Sequence, residues 1–133
     1  MCGSGTFLLE AVQIALNIAP GIKRNFAFEK FKKFDSSLWN KIKEDSINQQ
    51  KDKLQQPIYG SDLYGDALLD AHTNLDMAGF SDLVALKQGN ILEIPSPAPT
   101  GILITNPPYG KRVGNQDELA DLYPRIGDIL KNK

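Results

Sequence analysis

Apolar residues in the first part of the chain recur with the pattern of a helix that packs against a sheet. Between Phe7 and Ile18 the polar exceptions are Glu10, Gln13 and Asn17. A segment so apolar predicts a helix that packs closely against a sheet. Pro20-Gly21 follows this segment, and we expect this pair to stop the helix.

Short apolar runs alternate with helical patterns in the later part of the chain. We expect strands at 57–62, 83–88 and 101–105, and helices at 66–78 and 116–130. The run 101–105 is apolar at consecutive positions, which is typical of a strand buried on both faces. Alternation of this kind indicates an α/β fold, with a parallel sheet and helices on its faces.

The stretch 23–56 is rich in lysine and differs from the rest of the chain. We interpret it as a helical insertion, with a loop followed by a helix over about 38–54. Asp35-Ser36-Ser37 is a candidate N-cap for that helix. Trp39 is expected to anchor the inserted helix to the core.

Composition narrows the class of protein. The chain has 133 residues, of which 41% are hydrophobic, and a formal net charge of −1, so it has no overall cationic field for a nucleic acid. No run reaches the roughly 18 apolar residues of a membrane span, and no signal peptide opens the sequence. One cysteine excludes an internal disulfide framework and a cysteine metal cluster. We therefore expect a cytoplasmic protein without a metal site.

The first candidate site is the glycine turn formed by Cys2, Gly3, Ser4, Gly5 and Thr6. Small residues let a ligand approach the backbone, and a helix N-terminus attracts negative charge. A dinucleotide fingerprint would need a small residue where Leu8 stands, which weakens a nicotinamide-dependent alternative. A purely structural turn is the other alternative. Such turns normally follow a buried strand, so we expect that a strand is missing before Met1.

The second candidate site is Asp62, which ends the strand predicted at 57–62. An acid at this place can accept hydrogen bonds from both hydroxyls of a ribose. Asp62 lies much further from Gly5 than the roughly 20 residues of a compact dinucleotide unit, and an insertion at 23–56 would explain the excess. The alternative is that Asp62 caps the following helix.

The third candidate site is Asn106-Pro107-Pro108-Tyr109-Gly110, directly after the predicted strand at 101–105. The prolines fix the backbone and remove two donors. The side-chain oxygen of Asn106 and the carbonyl of Pro107 would then form a rigid pair of acceptors that suits an exocyclic amino group. Tyr109 can stack on an extruded base. Lys111 and Arg112 are weaker candidates for contacts with adjacent phosphates.

These three motifs together resemble the class I S-adenosylmethionine-dependent methyltransferases that modify exocyclic amino groups. A narrower resemblance, to the bacterial THUMP-associated RNA methylases, rests on residues 17–21, Arg24, Phe26, Phe28-Glu29 and Leu38-Trp39. Members of that family make N2-methylguanine in large-subunit ribosomal RNA, and older names call them N6-adenine-specific DNA methylases. The resemblance covers essentially the whole chain.

The resemblance implies a role for each motif. Residues Cys2 to Thr6 match the cofactor loop, Asp62 matches the ribose-binding acid, and residues Asn106 to Tyr109 match the catalytic motif. Asn90 stands where the family usually has an aspartate that contacts the adenine amino group. The implied cofactor is S-adenosylmethionine, and the implied reaction is methylation of guanine N2 in ribosomal RNA. An adenine-N6 methylase of DNA or RNA, and a truncated fragment that binds without catalysing, are the alternatives.

The resemblance also implies a Rossmann-like sheet that is truncated in this chain. Family members have a strand before the glycine turn and further strands after the last predicted helix, and they carry an upstream THUMP domain. We therefore expect residues 1–133 to be a partial catalytic domain that needs those segments and an RNA substrate. The lysine-rich face of the insertion is expected to be solvated, with an RNA-facing surface as the alternative.

Overall fold

The computed structural model describes residues 1–108 and 116–132. It has two parallel strands, four α-helices and two short 3-10 turns in an α/β arrangement, and the turns lie at Ala27–Lys30 and Ser81–Leu83. The longer elements are α1 (Thr6–Ala15), α2 (Ser36–Asn48), β1 (Ile58–Asp62), α3 (Gly65–Ala78), β2 (Val84–Gln88) and α4 (Gln116–Asn132). Except for the strand predicted at 101–105, each predicted element is present, with shifted ends.

The two strands form the centre of the fold. β1 and β2 pair in parallel, from Ile58 opposite Val84 to Asp62 opposite Gln88, and α3 connects them. The buried core joins α1, α3 and β2 through Leu8, Val12, Leu16, Leu75 and Val84. Helix α1 therefore packs on the sheet as its apolar pattern predicts.

Helix α1 ends earlier than predicted, and the cause is Asn17. Its backbone adopts the left-handed conformation, with φ 55°. The amide of Ile18 donates to the carbonyl of Gln13 over 2.8 Å, and the amide of Asn17 donates to Ile14 over 3.1 Å. This pair of bonds is a Schellman motif, in which asparagine replaces the usual glycine. Pro20-Gly21 lies beyond the end and does not stop the helix.

The insertion begins its helix with the predicted cap. The Asp35 side chain accepts a hydrogen bond from the amide of Leu38 over 2.9 Å, which satisfies a first-turn donor of α2. Trp39 does not anchor α2 to the core, and that prediction is wrong. Its ring packs instead edge-on against Phe26 and Phe28, which lie in the same stretch 23–56.

The prediction of a strand at 101–105 is wrong, since the structure has no regular secondary structure there. Ile102 is 91% exposed and Ile104 is 66% exposed. The amide of Cys2 donates to the carbonyl of Ser61 over 2.8 Å, and Thr105 Oγ1 donates to the carbonyl of Met1 over 3.1 Å. The first two residues thus lie between β1 and Thr105. Among the described residues, none extends that position into a strand, so the apolar run has no ladder to join.

Helix α4 confirms the helix predicted at 116–130. Its less exposed face is formed by Leu119, Leu122, Ile126 and Ile129, which are the residues expected to be in phase. Pro124 lies inside the helix. In the described part of the chain, no helix has the length and apolar character that crossing a membrane requires.

Candidate active site

The glycine turn leads directly into α1. Gly3 and Gly5 both have a left-handed backbone, with φ 53° and 82°, and the amide of Gly5 donates to the carbonyl of Cys2 over 3.0 Å. A Cβ at Gly5 would lie 3.1 Å from the Cβ of Ala71, whereas a Cβ at Gly3 would meet nothing within 4 Å. Gly5 thus permits the close approach of α3, and Gly3 borders open space that a ligand can occupy.

Asp62 joins this turn to the end of β1. Its side chain is only 7% exposed. One carboxylate oxygen accepts a hydrogen bond from the amide of Gly3 over 2.9 Å, and the other accepts from the amide of Tyr64 over 3.1 Å. The N-cap of α3 is Tyr64, so Asp62 shapes the turn before that helix and does not cap it. Each oxygen retains a lone pair for a further donor.

Asn90 lies at the same end of the sheet, just beyond β2. The amide of the preceding residue, Gly89, donates to the carbonyl of Asp62 over 2.9 Å. The Asn90 side chain accepts from the amide of Leu92 over 3.0 Å and donates to Glu93 over 3.4 Å. The amide group therefore fixes the turn at 90–94, and its contact with a cofactor adenine stays a prediction.

The segment Asn106 to Pro108 is tied to the same end of the molecule. Thr105 bonds the carbonyl of Met1, which places the segment beside the glycine turn. The hydroxyl of Tyr123 donates to the carbonyl of Pro108 over 2.8 Å, so α4 also fixes it. Asn106 is exposed, and Pro107 is half-buried. Three predicted positions, Tyr109, Lys111 and Arg112, lie outside the described residues.

Two supporting residues at this site were not anticipated from the sequence. Asn74 Nδ2 donates to the carbonyl of Ser4 over 2.9 Å, which holds the glycine turn against α3. Tyr123 supports Pro108 as described above. Both are polar residues in amphipathic helices, and that pattern does not distinguish a structural hydrogen bond from a solvated side chain.

Cys2 has no sign of nucleophilic activation. Burial raises the pKa of its thiol above the ordinary value, and the negative charge of Asp62 adds to this increase, while the N-terminal ammonium group opposes it. A raised pKa keeps the thiol protonated near neutral pH. Within residues 1–108 and 116–132, no group of His, Cys, Asp or Glu side chains could hold a metal ion.

Comparison with known families identifies the domain. Residues 1–133 match the profile described as "RMKL-like, methyltransferase domain". The chain belongs to this family. Its membership covers every motif discussed above and favours a methyltransferase over a nicotinamide-dependent oxidoreductase.

Two curated relatives are also named as methyltransferases. A Synechocystis protein named as an RNA methyltransferase is 40% identical over 134 residues, which is all of this chain and 35% of the relative. The ribosomal RNA large subunit methyltransferase K/L of Shewanella sp. strain W3-18-1 is 40% identical over 136 residues, or 99% of this chain and 19% of the relative. The chain thus spans between a fifth and about a third of the length of these relatives.

Solved structures share the fold. SMU.472, described as a methyltransferase and crystallised in complex with SAH, superposes with a TM-score of 0.88 at 36% identity over 98% of this chain and 35% of its own. A Listeria monocytogenes protein named as an N6-adenine-specific DNA methylase gives 0.83 at 29% identity over 98% of this chain and 34% of its own. The expected Rossmann-like methyltransferase fold is confirmed.

Proposed function

We propose that this domain transfers a methyl group from S-adenosylmethionine to the exocyclic amino group of a nucleobase, with guanine N2 in ribosomal RNA as the target. Family membership supports the reaction class. The name of the Shewanella relative supports a ribosomal RNA substrate. A cytoplasmic location accords with that substrate.

The observation that carries the proposal is the junction between the glycine turn and Asp62. A nearly buried carboxylate holds the amide of Gly3, at the carboxyl end of β1 and beside the N-terminus of α1. Open α/β sheets bind their ligands at this end. The carboxylate has acceptor capacity for a ribose diol, and a Cβ placed at Gly3 would meet no described protein atom within 4 Å.

The residues present fit the proposed cofactor. S-adenosylmethionine supplies an electrophilic methyl group on a sulfonium, and SAH, present in the SMU.472 structure, is the product that remains after transfer. In our proposal Asp62 holds the ribose, the turn from Cys2 to Thr6 lies against the amino-acid part, and Asn90 contacts the adenine.

The segment from Asn106 to Tyr109 is assigned to the base. The Asn106 side chain and the Pro107 carbonyl accept the two N–H groups of the amino group, which makes its nitrogen lone pair available. The prolines contribute no competing N–H donors. The new C–N bond forms as the methyl–sulfur bond breaks, and the displaced proton leaves to water, which reaches Asn106 because this residue is exposed.

Two other functions stay in consideration. The name of the Listeria protein favours adenine N6 as a second candidate target, since adenine also presents an amino group. The chain spans only part of the length of its relatives, which favours a partial domain as the other candidate. Such a domain would contain 23–56 as an insertion and would bind the cofactor. It would need the further catalytic segments and a THUMP domain to catalyse the transfer.

A methyl-transfer assay tests the proposal. The chain is incubated with radiolabelled S-adenosylmethionine and large-subunit ribosomal RNA that lacks the modification, and the digested RNA is analysed by mass spectrometry. We expect N2-methylguanosine, and loss of transfer in Asn106→Ala with cofactor binding retained. N6-methyladenosine would support the second target. Normal transfer by Asn106→Ala would refute the assigned mechanism.

A further inference from the structure

The insertion carries an exposed surface that the proposed function does not use. We call it the aromatic-basic surface, and it consists of the side chains at 28–42. It borders a shallow, open hollow of about 420 Å³, whose apolar lining consists of Phe28, Phe31, Phe34, Leu38, Trp39 and Ile42. Phe31 is 68% exposed and Leu38 is 55% exposed. Phe28 and Ile42 of the same hollow are also exposed, and a contiguous patch of exposed apolar side chains marks an interaction site.

The charge of the insertion differs in sign from that of the rest of the chain. Residues 23–56 contain nine basic and five acidic side chains, a net charge of +4, whereas the remaining residues contain six basic and eleven acidic ones, a net charge of −5. Lys30, Lys32 and Lys33 surround Phe31 in sequence, and all three are exposed. This local cationic field favours an anionic partner over a neutral or basic protein surface.

Phe28 and Trp39 of this surface contact each other, and Phe26 and Lys43 support them from just outside it. Phe28 packs edge-on against Trp39 with ring centroids 5.0 Å apart, and Phe26 stacks on Phe28 at 5.3 Å. Lys43 Nζ lies 5.5 Å from the centre of the Trp39 ring. The buried Nε1 of Trp39 has no hydrogen-bond partner among the described residues. These contacts position Phe28 and Trp39 in the wall of the hollow.

We propose that the aromatic-basic surface binds a single-stranded segment of RNA, with a base stacked on Phe31 and the backbone phosphates held by the neighbouring lysines. Alternating aromatic and basic side chains are the chemistry by which proteins bind single strands, because every base offers a π-face and every linkage a negative charge. The inference rests on the proposed function in taking RNA as the substrate, and it adds a second contact that is remote from the transferred methyl group.

The test measures binding of a fluorescein-labelled 12-nucleotide single-stranded RNA to the 133-residue chain by anisotropy, at several salt concentrations. Neutralising Lys30, Lys32 and Lys33 together to glutamine is expected to reduce the salt slope by about two, since each phosphate contact on a single strand contributes roughly 0.7. A matched triple variant neutralises Lys51, Lys53 and Lys131, and it should retain the slope.

A second variant tests stacking without changing charge. Phe31→Leu keeps an apolar side chain but removes the ring. It should weaken RNA binding about 5- to 150-fold, the equivalent of the roughly 1–3 kcal/mol that a stacked base contributes. Phe31→Tyr should restore binding. Circular dichroism of each variant establishes that the fold is retained.

Several results would overturn the inference. Equal salt slopes for the two triple variants, or unchanged RNA affinity in Phe31→Leu, would do so. So would light scattering that shows a dimer dissociated by Phe31→Leu, because a second copy of the chain would then cover the surface. Failure of the proposed function is distinguishable: S-adenosylmethionine binding would be absent while the lysine and Phe31 variants still altered RNA binding.

Discussion

Replacing Asp62 with alanine removes a side chain that joins the glycine turn to the end of β1. The carboxylate accepts hydrogen bonds from the amides of Gly3 and Tyr64, so the substitution leaves both donors without their acceptor. Hydrogen bonds to a charged group contribute about 1.5–3 kcal/mol each. Gly3 borders open space and Tyr64 is exposed, so water replaces part of the loss. We therefore expect a decrease of about 2–3 kcal/mol in the free energy of unfolding.

Urea denaturation followed by circular dichroism measures this decrease. The matched control is Asp70→Asn, which neutralises an exposed acid of α3 and should stay within about 0.5 kcal/mol of the unmodified chain. Asp62→Asn keeps the volume and one acceptor, so it should fall between the two. If Asp62→Ala were as stable as Asp70→Asn, the two backbone hydrogen bonds would not hold the turn, and the reasoning about the site would be refuted.

Three further predictions concern the packing, the insertion and the thiol. A Cβ at Gly60 would lie 2.5 Å from Leu8 Cδ1, so Gly60→Ala should lower the free energy of unfolding by about 1–3 kcal/mol in urea denaturation. The decrease should be smaller in a Leu8→Ala background. If the effects of the two substitutions were additive, the contact between these positions would be contradicted. Asp35→Ala should lower stability by about 1 kcal/mol through loss of the α2 cap, measured in the same way, and an unchanged midpoint would count against it. Because the folded state raises the pKa of Cys2, the free energy of unfolding should fall as pH rises above the ordinary thiol pKa, and it should fall less in Cys2→Ala. Urea denaturation at several pH values measures this. Equal pH profiles for the unmodified chain and Cys2→Ala would contradict the prediction.

Local signals predicted the elements that depend on neighbours in sequence. The cap at Asp35 is a short-range feature, and the sequence pattern identified it. The cap needs no knowledge of the tertiary structure, since it is determined within about four residues. Asp62 ends β1 as the strand pattern predicts. Its bond to the amide of Gly3 joins residues far apart in sequence, and its part in cofactor binding stays a prediction.

The wrong predictions depend on partners that a sequence pattern does not reveal. The run 101–105 has the composition of a buried strand, but a strand requires a hydrogen-bonded neighbour, and Ile102 is exposed instead. Asn17 ended α1 through a backbone conformation that asparagine adopts less often than glycine. Trp39 packs against Phe26 and Phe28 and not against the core. The spacing of apolar residues in the sequence does not distinguish packing on the core from packing on nearby aromatic residues.

The most direct test of the proposed cofactor site is calorimetric titration of S-adenosylmethionine into the 133-residue chain, with Asp62→Asn as the comparison. We predict a micromolar dissociation constant for the unmodified chain, equivalent to about −8 kcal/mol, and binding at least about tenfold weaker in Asp62→Asn, since roughly 1.4 kcal/mol corresponds to a tenfold change. A folded chain that binds no S-adenosylmethionine, or binds it equally well without the carboxylate, would contradict the assignment of the glycine turn and Asp62 as the cofactor site.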